Sequence, residues 1–500
     1  MPQLSTLDDW NRLVDGLSIR TEAFIDGRYV PAAGGETFDC VNPANSQVIA
    51  RIAATDAEDV NRAVIAARRA FDSGRWPRMA PSARKEILLR FAELIRQNQD
   101  ELAALETIDM GKPIADSTTI DIPGAAHCIA WYAEAVDKVY DEVAPTSREQ
   151  IGLITREPVG VVACIVPWNF PLLMAAWKIG PALAAGNAVI LKPSEKSPLT
   201  AIRVAELAAE AGIPDGVFNV LPGFGDKTGK PLALHEDVDC LAFTGSTAIG
   251  KQILQYSGQS NMKRVWLECG GKSPNIVFAD CPDLDAAAEA AGFGIFFNQG
   301  EMCSAASRLL VEDSIREAFL EKLLAFADTM QPGDPLDPAT RMGAIVDKVQ
   351  FDTVMNYIAR GKEEGATLRT GGSRVLEDTR GWFVPPTVFD DVDNQMSIAQ
   401  EEIFGPVLST IAFGSAEQAL SLGNDVRYGL AAAVWTRDIN KAHRIAKGLR
   451  AGTVWINCYD AGDLTVPFGG FKESGNGRDK SLHALDKYVE LKTTWIELGG

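Results

Sequence analysis

From Gly160 to Asn457 the chain alternates short apolar, β-branched runs with segments of helical periodicity, and this alternation constrains the fold more than any other feature. Strand-like runs fall at 161–166, 188–191, 217–221 and 241–243, with helical pattern between them, including 199–211 closed by Gly212 and Pro214. Such spacing implies right-handed strand–helix–strand units and a parallel sheet. A second series follows Gly270-Gly271. Its strands are expected near 275–278, 308–311, 407–413, 431–435 and 453–457, and its helices near 284–297, 315–329, 346–361 and 439–449. Five hundred residues exceed what one hydrophobic core serves, so the two series are expected as two doubly wound α/β domains. Each would carry a cleft at the carboxyl ends of its strands, with a cofactor in one and chemistry at the seam.

Upstream, Ala23 to Val30 reads as strand. One amphipathic helix carries Val60, Val64, Ala67 and Phe71; a second, capped near Ser82, carries Ile87, Leu88, Phe91, Leu94 and Ile95. A net charge of −19 argues against nucleic acid and anionic membrane partners. Eight scattered cysteines without a CxxC pair fit a reducing compartment rather than a disulfide framework. The four histidines show no metal-ligand spacing, so no metal is expected. The N-terminus lacks a signal-peptide pattern, and no apolar run approaches the ~18 residues of a membrane span. The expectation is a cytoplasmic, soluble protein.

The chemistry points to residues 298–307, where Cys303 sits among small and polar residues after the apolar run 293–297. Small neighbours let a substrate carbon reach the sulfur, and nearby backbone N–H groups can stabilise an oxyanion. A lone cysteine is more often a small buried hydrophobe. What raises Cys303 above that is Glu268, an acid isolated in the glycine-rich run 267–274. A thiol and an isolated carboxylate are what thioester chemistry requires. Asn169, in the run 166–171 at the end of the first strand, offers an amide donor for the oxyanion, though alone it also reads as a turn residue.

Two places suggest a nucleotide. At 191–195, Lys192 and Glu195 end a strand where a ribose could be held, and Glu195 would repel a 2′-phosphate. At 243–252 a strand enters a helix through Thr244, Gly245 and Ser246, whose amides suit a pyrophosphate. Gln252 stands where a phosphate-loop hydroxyl would bind Mg²⁺, which argues against an NTPase, and no GxGxxG follows any strand. Glu402 with Phe404 in 401–406, and the loop 467–475, read alone as turns.

Taken together, VPWNFP, LKPSE, FTGS, LECGGKSP, NQGEMCSA, EEIFGPV and PFGGFKESG resemble the aldehyde dehydrogenase superfamily, in its order and spacing over nearly the whole chain. The resemblance implies a dinucleotide-binding domain (21–140 and 158–270), a catalytic domain (271–470) and a small β oligomerisation arm (141–157 and 487–498). It implies NAD as cofactor, with NADP an alternative, an aldehyde as partner, and a homodimer or homotetramer. Cys303 becomes the nucleophile, Glu268 the base and Asn169 the oxyanion amide. Trp168, Lys192, Glu195, Gly245, Ser246, Glu402 and Phe404 fall on the cofactor.

Four positions depart from the usual pattern: Glu301 for Gln, Cys269 for Leu, Phe471 for Tyr, and Asp479 for a Glu that the resemblance implies relays protons with Lys178, a relay the shorter acid calls into question. Within the superfamily, 120–126, 138–144 and 468–485 are most similar to bacterial γ-glutamyl-γ-aminobutyraldehyde and ω-aminoaldehyde dehydrogenases of polyamine breakdown. The likeness places Phe170, Trp177 and Phe468 on the substrate tunnel, widened by Gly124 and Gly462. Asp121, Asp460 and Asp463 are expected at its mouth, where carboxylates would suit an ammonium group. The alternatives are an enzyme of broad specificity for aliphatic aldehydes, a CoA-acylating enzyme, which Glu268 argues against, and a non-catalytic paralogue.

Overall fold

In the computed structural model, which describes residues 4–499, two seven-stranded sheets carry the alternation read from the sequence. The first runs in the order Arg264–Glu268, Cys240–Thr244, Val161–Ile165, Ala188–Lys192, Phe218–Val220, Ala23–Ile25, Arg28–Val30. Its first five strands are parallel, and the hairpin Ala23–Val30 closes the edge antiparallel. The central strands are buried along their whole length, which is why they read as continuous apolar runs rather than alternating ones.

Chain order reverses between Val161–Ile165 and Cys240–Thr244, so the crevice of this sheet opens where Trp168 and Asn169 leave one strand and Gly245 and Ser246 leave the next. The second sheet holds Pro274–Val277, Arg308–Glu312, Val407–Phe413, Ala431–Trp435 and Thr453–Ile456, with Thr387–Asp390 and an antiparallel edge strand Thr367–Thr370. Here the expectation of a carboxyl-end cleft is corrected. Gly271, Cys303 and Glu402 all lie just before strands, so this sheet meets the crevice with its amino edge. The seam therefore joins the carboxyl edge of one sheet to the amino edge of the other.

A third, antiparallel sheet pairs Val489–Glu497 with Gln150–Pro158 and Glu142–Ala144. The helix at 81–97 begins at Pro81 with Ala80 at its cap; Ser82 lies inside it and does not cap it. Proline at the first helical position leaves no donor there to satisfy. Among the described residues, no helix is long and apolar enough to cross a membrane.

Candidate active site

Cys303 is held by a backbone that pays for its shape in strain. Just before it, Asn298 (φ 48°) and Gln299 (φ 57°) adopt the left-handed conformation without being glycine. Gly300 follows at φ 72°, and a Cβ there would lie 2.2 Å from the Gly405 carbonyl oxygen, so only glycine fits. Side chains fix this turn to its surroundings. Gln299 Oε1 accepts from the Gly343 N–H (3.0 Å), and Asn298 Nδ2 donates to the Asn169 carbonyl (2.9 Å). Asn169 Nδ2 donates to the Glu301 carbonyl (2.8 Å), which leaves its second N–H free. Glu301 Oε1 accepts from the Val346 N–H (3.1 Å). Burial pushes the Glu301 carboxyl well above its ordinary range, toward the uncharged form.

Two cavities meet at Cys303. The first, about 250 Å³, is lined by Trp168, Asn169, Gly245, Ser246, Glu402 and Phe404 from the sequence expectations, together with Cys269, Gln350 and Thr353. Ser246 caps the helix Thr247–Gln259 by accepting the Ile249 N–H, so that helix N-terminus opens on this crevice. A Cβ on Gly245 would come 2.5 Å from the Phe243 ring. Glu402 Oε1 accepts from the Gly271 N–H (3.1 Å), and burial pushes its carboxyl up to about 7. The Trp168 and Phe404 rings meet edge to face at 5.1 Å. Gln350 donates to the carbonyls of Ile403 (2.9 Å) and Phe404 (2.8 Å); no local sequence pattern marks it or Thr353. Lys192 and Glu195 lie beyond this cavity, 3.6 Å apart at the end of the neighbouring strand. Burial lowers the Lys192 pKa, and its Nζ donates to the Pro193 carbonyl (2.9 Å).

The second cavity, about 370 Å³, has aromatic walls. Pro171 starts the helix Pro171–Ala184, and Phe170, Leu173, Met174 and Trp177, spaced three and four apart, turn one face into the cavity. Trp177 packs against Phe468 at 5.5 Å. Asp460, Gly462, Asp463, Gly124 and His127 line the opening, as does Lys480, which the sequence reading missed. Asp460 keeps exposed surface, yet the packed wall around its carboxyl pushes it up to about 6.

Asp121 is not at this mouth. It is fully buried, and its Oδ1 accepts from Lys112 Nζ at 2.6 Å, with Glu106 on the same ammonium at 3.2 Å. The cause is helical phase. Ile120, Gly124 and His127 share the face that lines the cavity, and Asp121 is turned about 100° from it into the core.

Glu268 ends the strand Arg264–Glu268, and its carboxyl faces Gly469 and Gly477; a Cβ on either would lie 2.8 Å from Oε1. Among the described residues, neither carboxylate oxygen has a hydrogen-bond partner, and the side chain lines neither cavity. Burial, reinforced by Asp479, pushes it up to about 8 against the pull of Lys178, Lys487 and Arg478. Such a value suits a base working near neutral pH. Asp479, although a methylene shorter than the usual Glu, still reaches Lys178 Nζ at 2.9 Å and also pairs with Lys487. Burial pushes the Cys303 thiol up as well, with the Glu402 and Glu268 charges adding to it.

Comparison with known proteins agrees with this geometry. The model of the aldehyde dehydrogenase family matches residues 29–494. The NADP/NAD-dependent aldehyde dehydrogenase PuuC of Escherichia coli is 56% identical, covering 98% of this chain and 98% of its own. A γ-glutamyl-γ-aminobutyraldehyde dehydrogenase from Burkholderia cenocepacia superposes with a TM-score of 0.97 at 61% identity, over 99% of this chain and 100% of its own. The indole-3-acetaldehyde dehydrogenase AldA of P. syringae, solved with NAD+ and IAA, gives 0.98 at 62% identity over 99% and 100%. Matched from end to end by such relatives, the chain belongs to the aldehyde dehydrogenase family and is an NAD(P)-dependent aldehyde-oxidising enzyme.

Proposed function

We propose that this enzyme oxidises an ω-aminoaldehyde, or its γ-glutamyl derivative, to the carboxylate through a thioester on Cys303. The observation that carries this is the meeting of two cavities at one sulfur. The Cys303 thiolate adds to the aldehyde carbon. The free N–H of Asn169 and the Cys303 backbone N–H then hold the oxyanion. NAD+ supplies the hydride acceptor when bound. Loss of hydride from the carbon leaves the thioester, and Glu268 takes a proton from the water that cleaves it, releasing the carboxylate and the thiol.

The cofactor fits the first cavity. The helix N-terminus at Ser246 and the bare backbone of Gly245 suit a pyrophosphate, Glu402 and Phe404 the nicotinamide end, and Trp168 the wall opposite. Lys192 and Glu195 hold the adenosine ribose, and Glu195 favours NAD+ over NADP+. On this reading 21–140 with 158–270 is the dinucleotide-binding domain and 271–470 the catalytic one.

The substrate reading rests on Asp460 and Asp463 at the opening, and on relatives named for aminoaldehydes. The aromatic walls favour a second reading, an arylacetaldehyde such as that in the name of the P. syringae relative. Comparing kcat/KM for 4-aminobutanal, butanal and indole-3-acetaldehyde at low salt separates the two. Preference for 4-aminobutanal over butanal supports the first, and equal values with a high rate on the indole aldehyde overturn it.

Among the described residues, the strand Val489–Glu497 has one edge unpaired, with Leu491 and Trp495 exposed at 65% and 54%. Edges of this kind are ordinarily covered, so 141–157 and 487–498 serve a homodimer or homotetramer. Eight free thiols suit a cytoplasmic location.

A further inference from the structure

Lys480 faces the aldehyde cavity and takes no part in the chemistry. A Cβ added at Gly462 would sit 3.5 Å from its Nζ, and the Trp177 ring centroid lies 5.5 Å away. Asp460, Asp463 and His127 line the same opening. Among the described residues, no carboxylate closes a salt bridge onto Lys480; the adjacent Asp479 is already paired with Lys178 and Lys487 in the interior.

The backbone holds this ammonium in place. Lys480 (φ 63°), Ser481 (φ 51°) and Asp460 (φ 55°) are all left-handed without being glycine, a conformation that persists only where the surroundings enforce it. The Asp479 N–H donates to the Phe468 carbonyl (2.7 Å), and the Phe468 N–H donates back (2.8 Å). The Ser481 N–H donates to the Leu464 carbonyl (2.7 Å), and Tyr132 Oη to the Ser481 carbonyl (3.1 Å). Burial draws the Lys480 pKa down while Asp460 and Asp463 hold it up. Asp460, Asp463 and Lys480 thus share one opening, and among the described residues none of the three is closed into a salt bridge with another.

We propose that Lys480, which shares this opening with Asp460 and Asp463, makes it a dipolar headgroup site, in which the lysine takes a substrate carboxylate while the aspartates take an ammonium. The enzyme then selects aldehydes whose far end carries both charges over those ending in a bare ammonium. This rests on the aminoaldehyde reading of the site. A bare ammonium meets the same two aspartates but is also repelled by Lys480, which is how a site rejects the wrong partner as well as attracting the right one.

The test compares kcat/KM for 4-aminobutanal and its N-γ-glutamyl derivative, each as a ratio to butanal. The wild type is expected to favour the glutamyl compound. Lys480→Met should lower the glutamyl ratio about fivefold and raise the 4-aminobutanal ratio, whereas Lys480→Arg keeps the wild-type order. Asp463→Asn, on an exposed loop, should lower both ratios. If Lys480→Met leaves both ratios unmoved, or lowers both together, the headgroup site is overturned while the aminoaldehyde reading stands. A wild type that favours neither charged aldehyde over butanal overturns that reading and the site with it.

Discussion

The floor and the mouth of the aldehyde cavity are built on opposite terms. At the floor, Cys303 sits among buried groups, as does Glu268, which lines neither cavity and whose two oxygens lack partners among the described residues. At the mouth, Asp460, Asp463 and Lys480 are also unpaired, but they keep contact with water. An unpaired charge in the interior costs several kcal/mol and shifts its pKa; at a wet rim it costs little and remains available to a ligand. The floor therefore governs whether reaction occurs at all, and the mouth governs which aldehyde enters.

The largest effect should come from the floor. Cys303→Ala should lower turnover at least about a thousandfold while NAD+ binding, followed by quenching of protein fluorescence, is retained. A loss within about tenfold would remove Cys303 from the nucleophile's place and erase the contrast between the regions.

Next comes the wall behind Phe170. Lys112 Nζ lies 4.0 Å from the Phe170 ring centroid and, among the described residues, is the one cation shared by Glu106 and Asp121. Lys112→Met leaves those acids buried without a counter-charge and should destabilise the fold by about 3–5 kcal/mol, read by urea denaturation. An unchanged urea midpoint would mean that the cluster is already neutral without its lysine.

A smaller effect is expected at the far end of the cofactor crevice. Glu195→Gln should raise the NADP+ to NAD+ ratio of kcat/KM by about tenfold, the equivalent of ~1.4 kcal/mol. A ratio that does not move would place Glu195 away from the ribose.

The same contrast governs what could be read in the sequence. Cys303, Asn169 and Glu268 each lie in a short run whose neighbours are needed for local reasons: Gly300 for its close approach to Gly405, Pro171 to start a helix, and Gly270 because a Cβ there would lie 1.9 Å from Glu402 Oε2. Local necessity leaves a local signature. The mouth leaves none, because residues 120–127, 460–468 and 480 come together only in the folded chain. Lys480 was missed for that reason. Asp121 lies away from the mouth because the helix that carries it turns it inward, which motif register alone does not reveal. The helix Gln99–Met110 carried no amphipathic stripe to read, since every residue from Leu102 to Met110 is buried. The strands of the parallel sheets were legible as apolar runs, and the error at the second sheet lay in which edge it presents.

The central claim is that oxidation and hydrolysis are separate steps on one sulfur, with Glu268 needed for the second. Burial holds the Glu268 carboxyl near 8, so the fraction ionised and able to act as a base grows as pH approaches that value, and wild-type thioester hydrolysis should rise with pH through about 8. The most direct measurement is rapid-quench mass spectrometry of Glu268→Gln mixed with NAD+ and 4-aminobutanal, with NADH followed in parallel. The account predicts one burst of NADH and an equal amount of acyl group on the peptide containing Cys303, persisting while steady-state turnover is lost. A burst of NADH with no added mass on that peptide, or full steady-state turnover in the variant, would contradict it.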